Sequence, residues 1–402
     1  MRKMTYSAIE GKSLGFYLIL VILGAIVAMG LGSALYMEHE GHHVTGMTNQ
    51  IVWGIPHIFA IFLIVAASGV LNIASIGTVF HRPMYKSLGR LSGLMAITLL
   101  IGGLMVLVLD LGRPDRLIIA MTSYNFKSIF AWNIILYNGF IAIVGVYLWF
   151  MMERRMQKYY PYAGFVAFIW RLILTTGTGS IFGFLVARES YDAAILAPLF
   201  IVLSFSIGLA MFMLYLMASY RCTGRPLGDV LIKQLKNLLG VFVGATFYFV
   251  AVYHLTNLYI TEQHGFEAFI LRDGGIYTML FWVGYIGLGT ALPLLLLYCR
   301  KITNIRLATA LASLSILIGG FSLLYVIIIG GQAYPLEIFT GKEVISSTFF
   351  DGVVSPYSPS IWEISLGTAG VAVALIATIL ATLILPFMPK SLADKMVDPH
   401  AK

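Results

Sequence analysis

LGFYLILVILGAIVAMGLGSALY, residues 14–36, is 23 residues without a charge. As a helix rising about 1.5 Å per residue it covers the roughly 30 Å of hydrocarbon in a bilayer. A basic segment, Met1 to Ser13, precedes it. A cleaved signal peptide has a shorter apolar core and a small-residue cleavage site, so this stretch is expected to remain as a first span. Nine comparable stretches follow, which places the spans at 14–36, 51–80, 91–112, 127–151, 162–187, 193–219, 235–260, 276–299, 307–330 and 362–388. Period-2 alternation is missing, and lipid cannot satisfy the edges of an open sheet. The fold class is therefore an all-α integral membrane protein of about ten transmembrane helices.

Composition agrees. Of 402 residues, 59% are hydrophobic and 11% charged, against about 25% charged in soluble domains. The net charge of +8 reflects orientation rather than nucleic-acid binding, since the basic residues sit in short connections. With the N-terminus in the cytoplasm, 19 Lys and Arg fall on that side. Six fall opposite, Arg113, Arg116, Lys127, Arg188, Arg272 and Lys342, and Arg171 lies within a span. Both termini are thus expected inside, in the cytoplasmic (inner) membrane of the cell. Residues 14–187 form a first helix group and 193–388 a second, with 331–361 as a long periplasmic loop expected to pack on a partner. Cys222 and Cys299 make no CxxC pair, so no cysteine-ligated cluster is expected in this chain.

Polar groups at membrane depth need a partner or a task. Arg171 lies about 13 Å into the fifth span, among Thr175, Thr176, Thr178 and Ser180. Either a proton path through Arg171, Thr175 and Thr178, or an arginine satisfied by its own neighbourhood, accounts for it. Alternating topology carries His57, Asp110, Asn133, Tyr137, Asn138, Tyr253, His254 and Asn257 to outer-leaflet depth. Donors and proton-relaying groups of this kind suit a quinone, whose reduction takes two electrons and two protons. Two other classes compete. One bis-His haem on His57 and His254 would make a cytochrome b-like subunit. An ion or solute transporter would use Arg171, though paired broken helices are not evident. Gly102–Gly103 and Gly177–Gly179 read as close helix contacts.

Between spans three and four stands DLGRPDR, residues 110–116. Its Gly and Pro end the helix, and its arginines sit on the disfavoured side. An acidic partner surface or an Asp110–Arg113 clasp would explain them.

DLGRPDR in this position resembles the signature of the NrfD/PsrC family of membrane subunits, as do VWGIPH at 52–57, AASG at 66–69 and SIFAW at 128–132. The likeness is strong over spans two to five. Within the longer, ten-span branch, GMTNQIVWG at 46–54 is most similar to the DsrP subunits of DsrMKJOP sulfur-metabolism complexes. The resemblance implies NrfD-type helical bundles, with quinone bound in the bundle of spans two to five. It implies an exchangeable menaquinone or ubiquinone near the periplasmic face, with no haem or iron–sulfur cluster in this chain. It further implies a periplasmic ferredoxin-like iron–sulfur subunit and other membrane and cytochrome subunits as partners. Such a chain is a quinone-reactive subunit rather than an independent enzyme. His57 matches the family's quinone-contacting histidine and Tyr137 its tyrosine. Asn133, Asp110, Tyr253 and His254 are further candidates for quinone binding and proton relay. Arg113, Asp115 and Arg116 would then lie under the iron–sulfur partner.

Overall fold

The structure, a computed structural model, describes residues 4–299, 303–336 and 352–397. Ten helices among these are long and apolar enough to cross a membrane. They are α1 (Leu14–Glu40), α2 (Ile55–Thr78), α3 (Gly89–Leu109), α4 (Ile129–Met152), α5 (Tyr160–Gly183), α6 (Leu196–Cys222), α7 (Asp229–Tyr259), α8 (Ile276–Tyr298), α9 (Ile305–Ala333) and α10 (Ile361–Ile384). The chain is a multi-pass membrane protein. About half of the long connection expected at 331–361, residues 337–351 with Lys342 among them, lies outside the described residues.

The boundaries follow local chemistry. Ser13 caps α1 by accepting from the Phe16 amide, and Gly41, at φ 92°, ends it. Pro56 sits in the first turn of α2, where its missing amide costs nothing. Val52, Trp53 and Gly54, expected inside span two, stay outside the helix. Span ten, expected to reach 388, ends at Ile384. Pro386 and Pro389 stop it, and Met388–Pro389 pairs antiparallel with Tyr6–Ser7. That pairing brings both chain ends to one side of the bundle, called here the terminal end. The opposite side, carrying His57 and Asp110, is the site end.

Burial ranks the helices. α2 is almost wholly enclosed, whereas α1 is nearly all exposed, as expected of a helix facing lipid. α2 packs on α3, α5, α6 and α10, and α1 packs chiefly on α10. α10 thus returns to the first helix group, although the sequence division put it in the second. α6 is a shared wall, touching α2 and α5 on one flank and α7 and α9 on the other. The glycines at 102–103 and 177–179 sit at close helix contacts, Gly102 against the backbone of Gly370 and Gly179 against Ala197.

A buried carboxylate fastens the entrance to α2. Glu363, fully enclosed, completes a capping box with Ser360. Its carboxylate accepts from the Gly46 amide at 2.8 Å, the Ser360 amide at 2.7 Å and the Tyr357 hydroxyl at 2.8 Å. The same Tyr357 hydroxyl accepts from the Ile55 amide at 2.7 Å. Glu363→Ala strands these donors away from water. At about 1–3 kcal/mol for each orphaned group, a large drop in detergent-solution melting temperature is expected, with Glu363→Gln closer to wild type.

Candidate functional site

At the site end, α2, α3, α4 and α5 enclose a cavity of 470 Å³. Its wall is mostly apolar, from Ile61, Leu104, Leu107, Val108, Leu111, Phe130, Ile134, Ile181 and Phe182. A six-residue helix after the 110–116 turn adds Leu117 and Met121, and α9 adds Ile328. The polar lining is His57, Asn133, Tyr137 and Asn138.

His57 stands one turn into α2, its Nδ1 2.9 Å from Asp110 Oδ2. Asp110 caps the C-terminus of α3, where the helix dipole disfavours a carboxylate, and its side chain is 1% exposed. The two side chains are in close contact, off the line of a regular hydrogen bond. Neither Asp110 oxygen has another partner among the described residues. Asn133 donates from Nδ2 to the carbonyls of Ile129 and Gly177, at 2.9 and 3.1 Å. Those two bonds fix the amide's orientation and leave its buried Oδ1 without a donor. Tyr137 is buried beside Thr178, and Asn138 returns its amide to the Ile134 carbonyl.

Trp53 forms part of the cavity wall. Its ring lies 6.4 Å from His57, 5.9 Å from Phe130, 5.7 Å from Phe182 and 6.3 Å from Tyr191, centre to centre. Gln332, at the end of α9, holds the backbone behind it. Its Oε1 accepts from the Val52 and Trp53 amides, and its Nε2 donates to the carbonyls of Trp53 and Ile328. Arg188 ties the Gln332 carbonyl to that of Gln50. This occupies one of the six cations that the charge count put on the disfavoured side.

Arg113 does not clasp Asp110, as one reading of the motif expected. It pairs twice with Asp115, at 3.0 Å each, in the open. The Arg113 guanidinium thereby holds the Asp115 carboxyl below the usual carboxylate range. Pro114 starts a 3-10 turn that turns Arg113 away, and His57 takes Asp110 instead. Arg116 is exposed beside them.

Tyr253 and His254 do not join this cavity. They line a separate one of 10 Å³. His254 Nδ1 lies 2.8 Å from Glu267 Oε2, and Asn257 donates to Glu267 Oε1 at 2.8 Å. The Tyr253 hydroxyl donates to the Ser190 carbonyl. Alternating topology fixes depth, not azimuth, so equal depth did not imply a shared pocket.

Arg171 is 1% exposed and lines neither cavity. Its Nη2 donates to Asn72 Oδ1 at 2.8 Å, and the guanidinium lies 5.0 Å from the rings of Phe168 and Phe205. The Ser68 and Thr175 hydroxyls both donate to its main-chain carbonyl. Thr178 donates to the Leu174 carbonyl.

Sequence reasoning passed over Glu267, Gln332 and Glu363. Each had a signal, a carboxylate or amide set in an apolar run near a helix end.

Comparisons with known proteins give the family of the chain. Residues 43–335 match the family described as polysulphide reductase, NrfD. An Hdr-like menaquinol oxidoreductase integral membrane subunit of Archaeoglobus fulgidus is 27% identical over 98% of this chain and 99% of its own length. A selenate reductase subunit of Mesobacillus selenatarsenatis is 26% identical over 88% of this chain and 91% of its own. A putative dimethyl sulfoxide reductase membrane subunit of Halobacterium salinarum is 27% identical over 87% and 86%. The matched region contains the His57 cavity, the 110–116 turn and Gln332, and the chain belongs to the NrfD polysulphide reductase family.

Proposed function

We propose that this chain is the quinone-reactive membrane subunit of a respiratory oxidoreductase, oxidising a quinol, menaquinol by the name of one relative, in the His57 cavity. The observation that carries this is chemical. Of the residues lining the cavity, Asn133 presents a buried acceptor, Oδ1, with no donor, and behind the His57 ring the buried Asp110 Oδ1 has none either. A buried acceptor without a donor costs about 1–3 kcal/mol, and a ligand that donates removes that cost. A quinol carries two hydroxyl donors, whereas the oxidised ring presents only carbonyl acceptors. The volume falls within the usual range for small-molecule sites, about 300–1,000 Å³, and the apolar wall suits a ring and the start of an isoprenoid tail.

When bound, the quinol supplies two electrons and two protons. His57 accepts a proton at its cavity-facing nitrogen, and Asp110, against Nδ1, stabilises the imidazolium that results. Asn133 and Tyr137 orient the ring, and Trp53 with Ile328 excludes water. Positive-inside bias puts the site end at the outer face. We infer that the 110–116 turn there receives the ferredoxin-like iron–sulfur partner, with Arg116 free to meet acidic groups. His57 and His254 each face their own carboxylate in different cavities, which disfavours a shared haem. The likeness of residues 46–54 to DsrP supports a place in sulfur-compound (sulfite or sulfate) metabolism, which the proteins that co-purify with the chain would check.

His57→Ala tests the reading. Purified complex carrying it is expected to lose bound quinone and quinol oxidation together. Wild-type values in both would remove His57 from the site.

A further inference from the structure

A groove on the outer flank of α4 and α5 takes no part in the His57 cavity. Trp170 of α5 pins the two helices together near their middles. Its indole donates to the Leu136 carbonyl at 2.9 Å, and its ring fills the place a Cβ on Gly139 would need. On the terminal side of that contact the inner faces close. Tyr147 of α4 bonds Thr78 of α2 at 2.6 Å, and Gly164 of α5 packs on both. The outer edge stays open. There Ala142 of α4 and Ala163 of α5 are too small to fill the gap between Phe150 and Val166, and a concavity of 690 Å³ results. Residues 142–150 cover about 12 Å of helix, most of the depth of one leaflet's hydrocarbon.

The end of this groove has a different chemistry. Met156 and Tyr159, in the connection from α4 to α5, line it there. Arg155 precedes Met156, Lys158 precedes Tyr159, and both cations are exposed, as is Arg154. Lys158 Nζ lies 4.7 Å from the centre of the Tyr159 ring, which sets a cation at the groove's edge. None of the three pairs with a carboxylate among the described residues. The acidic neighbour, Glu153, accepts instead from the Arg155 amide at 3.2 Å. Tyr162 adds a second exposed phenol to the lining, and such rings are enriched at the headgroup level of a membrane. Positive-inside bias puts this end at the cytoplasmic face. It accounts for cations in the connection, but not for their place at the end of an apolar trough one leaflet deep. Basic pockets between transmembrane helices on that side suit anionic headgroups.

We propose that the groove between α4 and α5 binds one anionic phospholipid of the cytoplasmic leaflet. Its acyl chain lies against Ala142 and Ala163, and its phosphate sits among Arg154, Arg155 and Lys158. The chain fills a gap that the protein's own side chains leave, and the phosphate supplies the counter-charge that the three cations lack. A zwitterionic lipid carries its own cation beside the phosphate and loses most of that attraction. The lipid thereby braces the two helices whose other halves carry Asn133, Tyr137 and Ile181 into the His57 cavity. The assignment stands apart from the quinol reading.

The experiment places the complete complex in phosphatidylcholine vesicles containing a small share of a lipid with a photoactivatable diazirine in its acyl chain. The probe is phosphatidylglycerol in one series and phosphatidylcholine in the other, and labelled peptides are mapped by mass spectrometry. Phosphatidylglycerol is expected to label residues 142–166 at least about tenfold more than phosphatidylcholine, because each basic residue near an anionic surface favours it several-fold. Arg154→Gln, Arg155→Gln and Lys158→Gln together are expected to bring the two probes to parity. Ala163→Phe fills the groove and keeps the charges, and it is expected to lower labelling by both. The triple variant changes only exposed side chains, so it decides the matter if Ala163→Phe does not assemble. Equal labelling of the wild type by the two probes, or an excess that survives in the triple variant, would overturn the proposal. So would a wild-type segment labelled by neither, the result expected where a partner's helix covers the groove.

Discussion

On the proposed quinol reading, replacing Asp110 by Asn is expected to lower quinol oxidation by the assembled complex at least about 100-fold, the usual scale for loss of a positioned acid or base. Asn conserves the shape and keeps an acceptor, but it carries no charge. The imidazolium formed when His57 takes a proton then has no counter-charge, in a site shielded from water where that charge counts most. Asp110 Oδ2 at 2.9 Å from His57 Nδ1 is the contact that supplies it. Quinone occupancy is expected to persist, because the apolar wall, Asn133 and Tyr137 are untouched. The measurement therefore pairs turnover with quinone content of the purified complex. Retained occupancy with lost turnover separates proton handling from binding. Turnover near wild type would show that Asp110 serves only to fix the ring of His57.

The largest effect on folding is expected at Gly69. Here α2 meets α6 backbone to backbone. A Cβ on Gly69 would run into the Ser204 carbonyl, and one on Gly208 into the Gly69 main chain. Neither neighbour is a side chain that can turn aside. Gly69→Val must push α6 away from the most enclosed helix of the bundle, opening voids along both. Overpacking costs typically about 1–3 kcal/mol, and more where only backbone can yield. Little folded protein is expected in detergent, and Gly69→Ala is expected to melt several degrees low. Gly145→Ala is the comparison, since its Cβ meets nothing within 4 Å. Equal melting of the two alanine variants would mean the helices do not approach this closely.

Hydropathy alone exposed the ten spans, because a bilayer of fixed thickness imposes a fixed length on every apolar run. The 110–116 motif exposed the neighbourhood of the site, and His57 stood out as a titratable ring where lipid would be expected. The partners were less visible. A carboxylate opening a loop gives no sign whether it turns to Arg113 three residues on or to His57 53 residues back. Steric direction of the Pro114 turn and the azimuth of α2 decide that, and both are properties of packed helices.

Within a membrane, then, the chain by itself determined which segments leave water, since that depends on side-chain transfer energies summed locally along each stretch. It also determined the depth of each polar residue, which counting along a helix supplies. The tertiary structure decided the azimuth. It turned Asp110 toward His57 and set His57 and Asn133 on the wall of one 470 Å³ space. It sent His254 to Glu267 instead, and it brought Gln332 back across 279 positions to hold Trp53. Rotation of one helix about its axis against another has no local energetic signature. It is fixed when backbones meet at glycines such as Gly69 and Gly208 and side chains interlock.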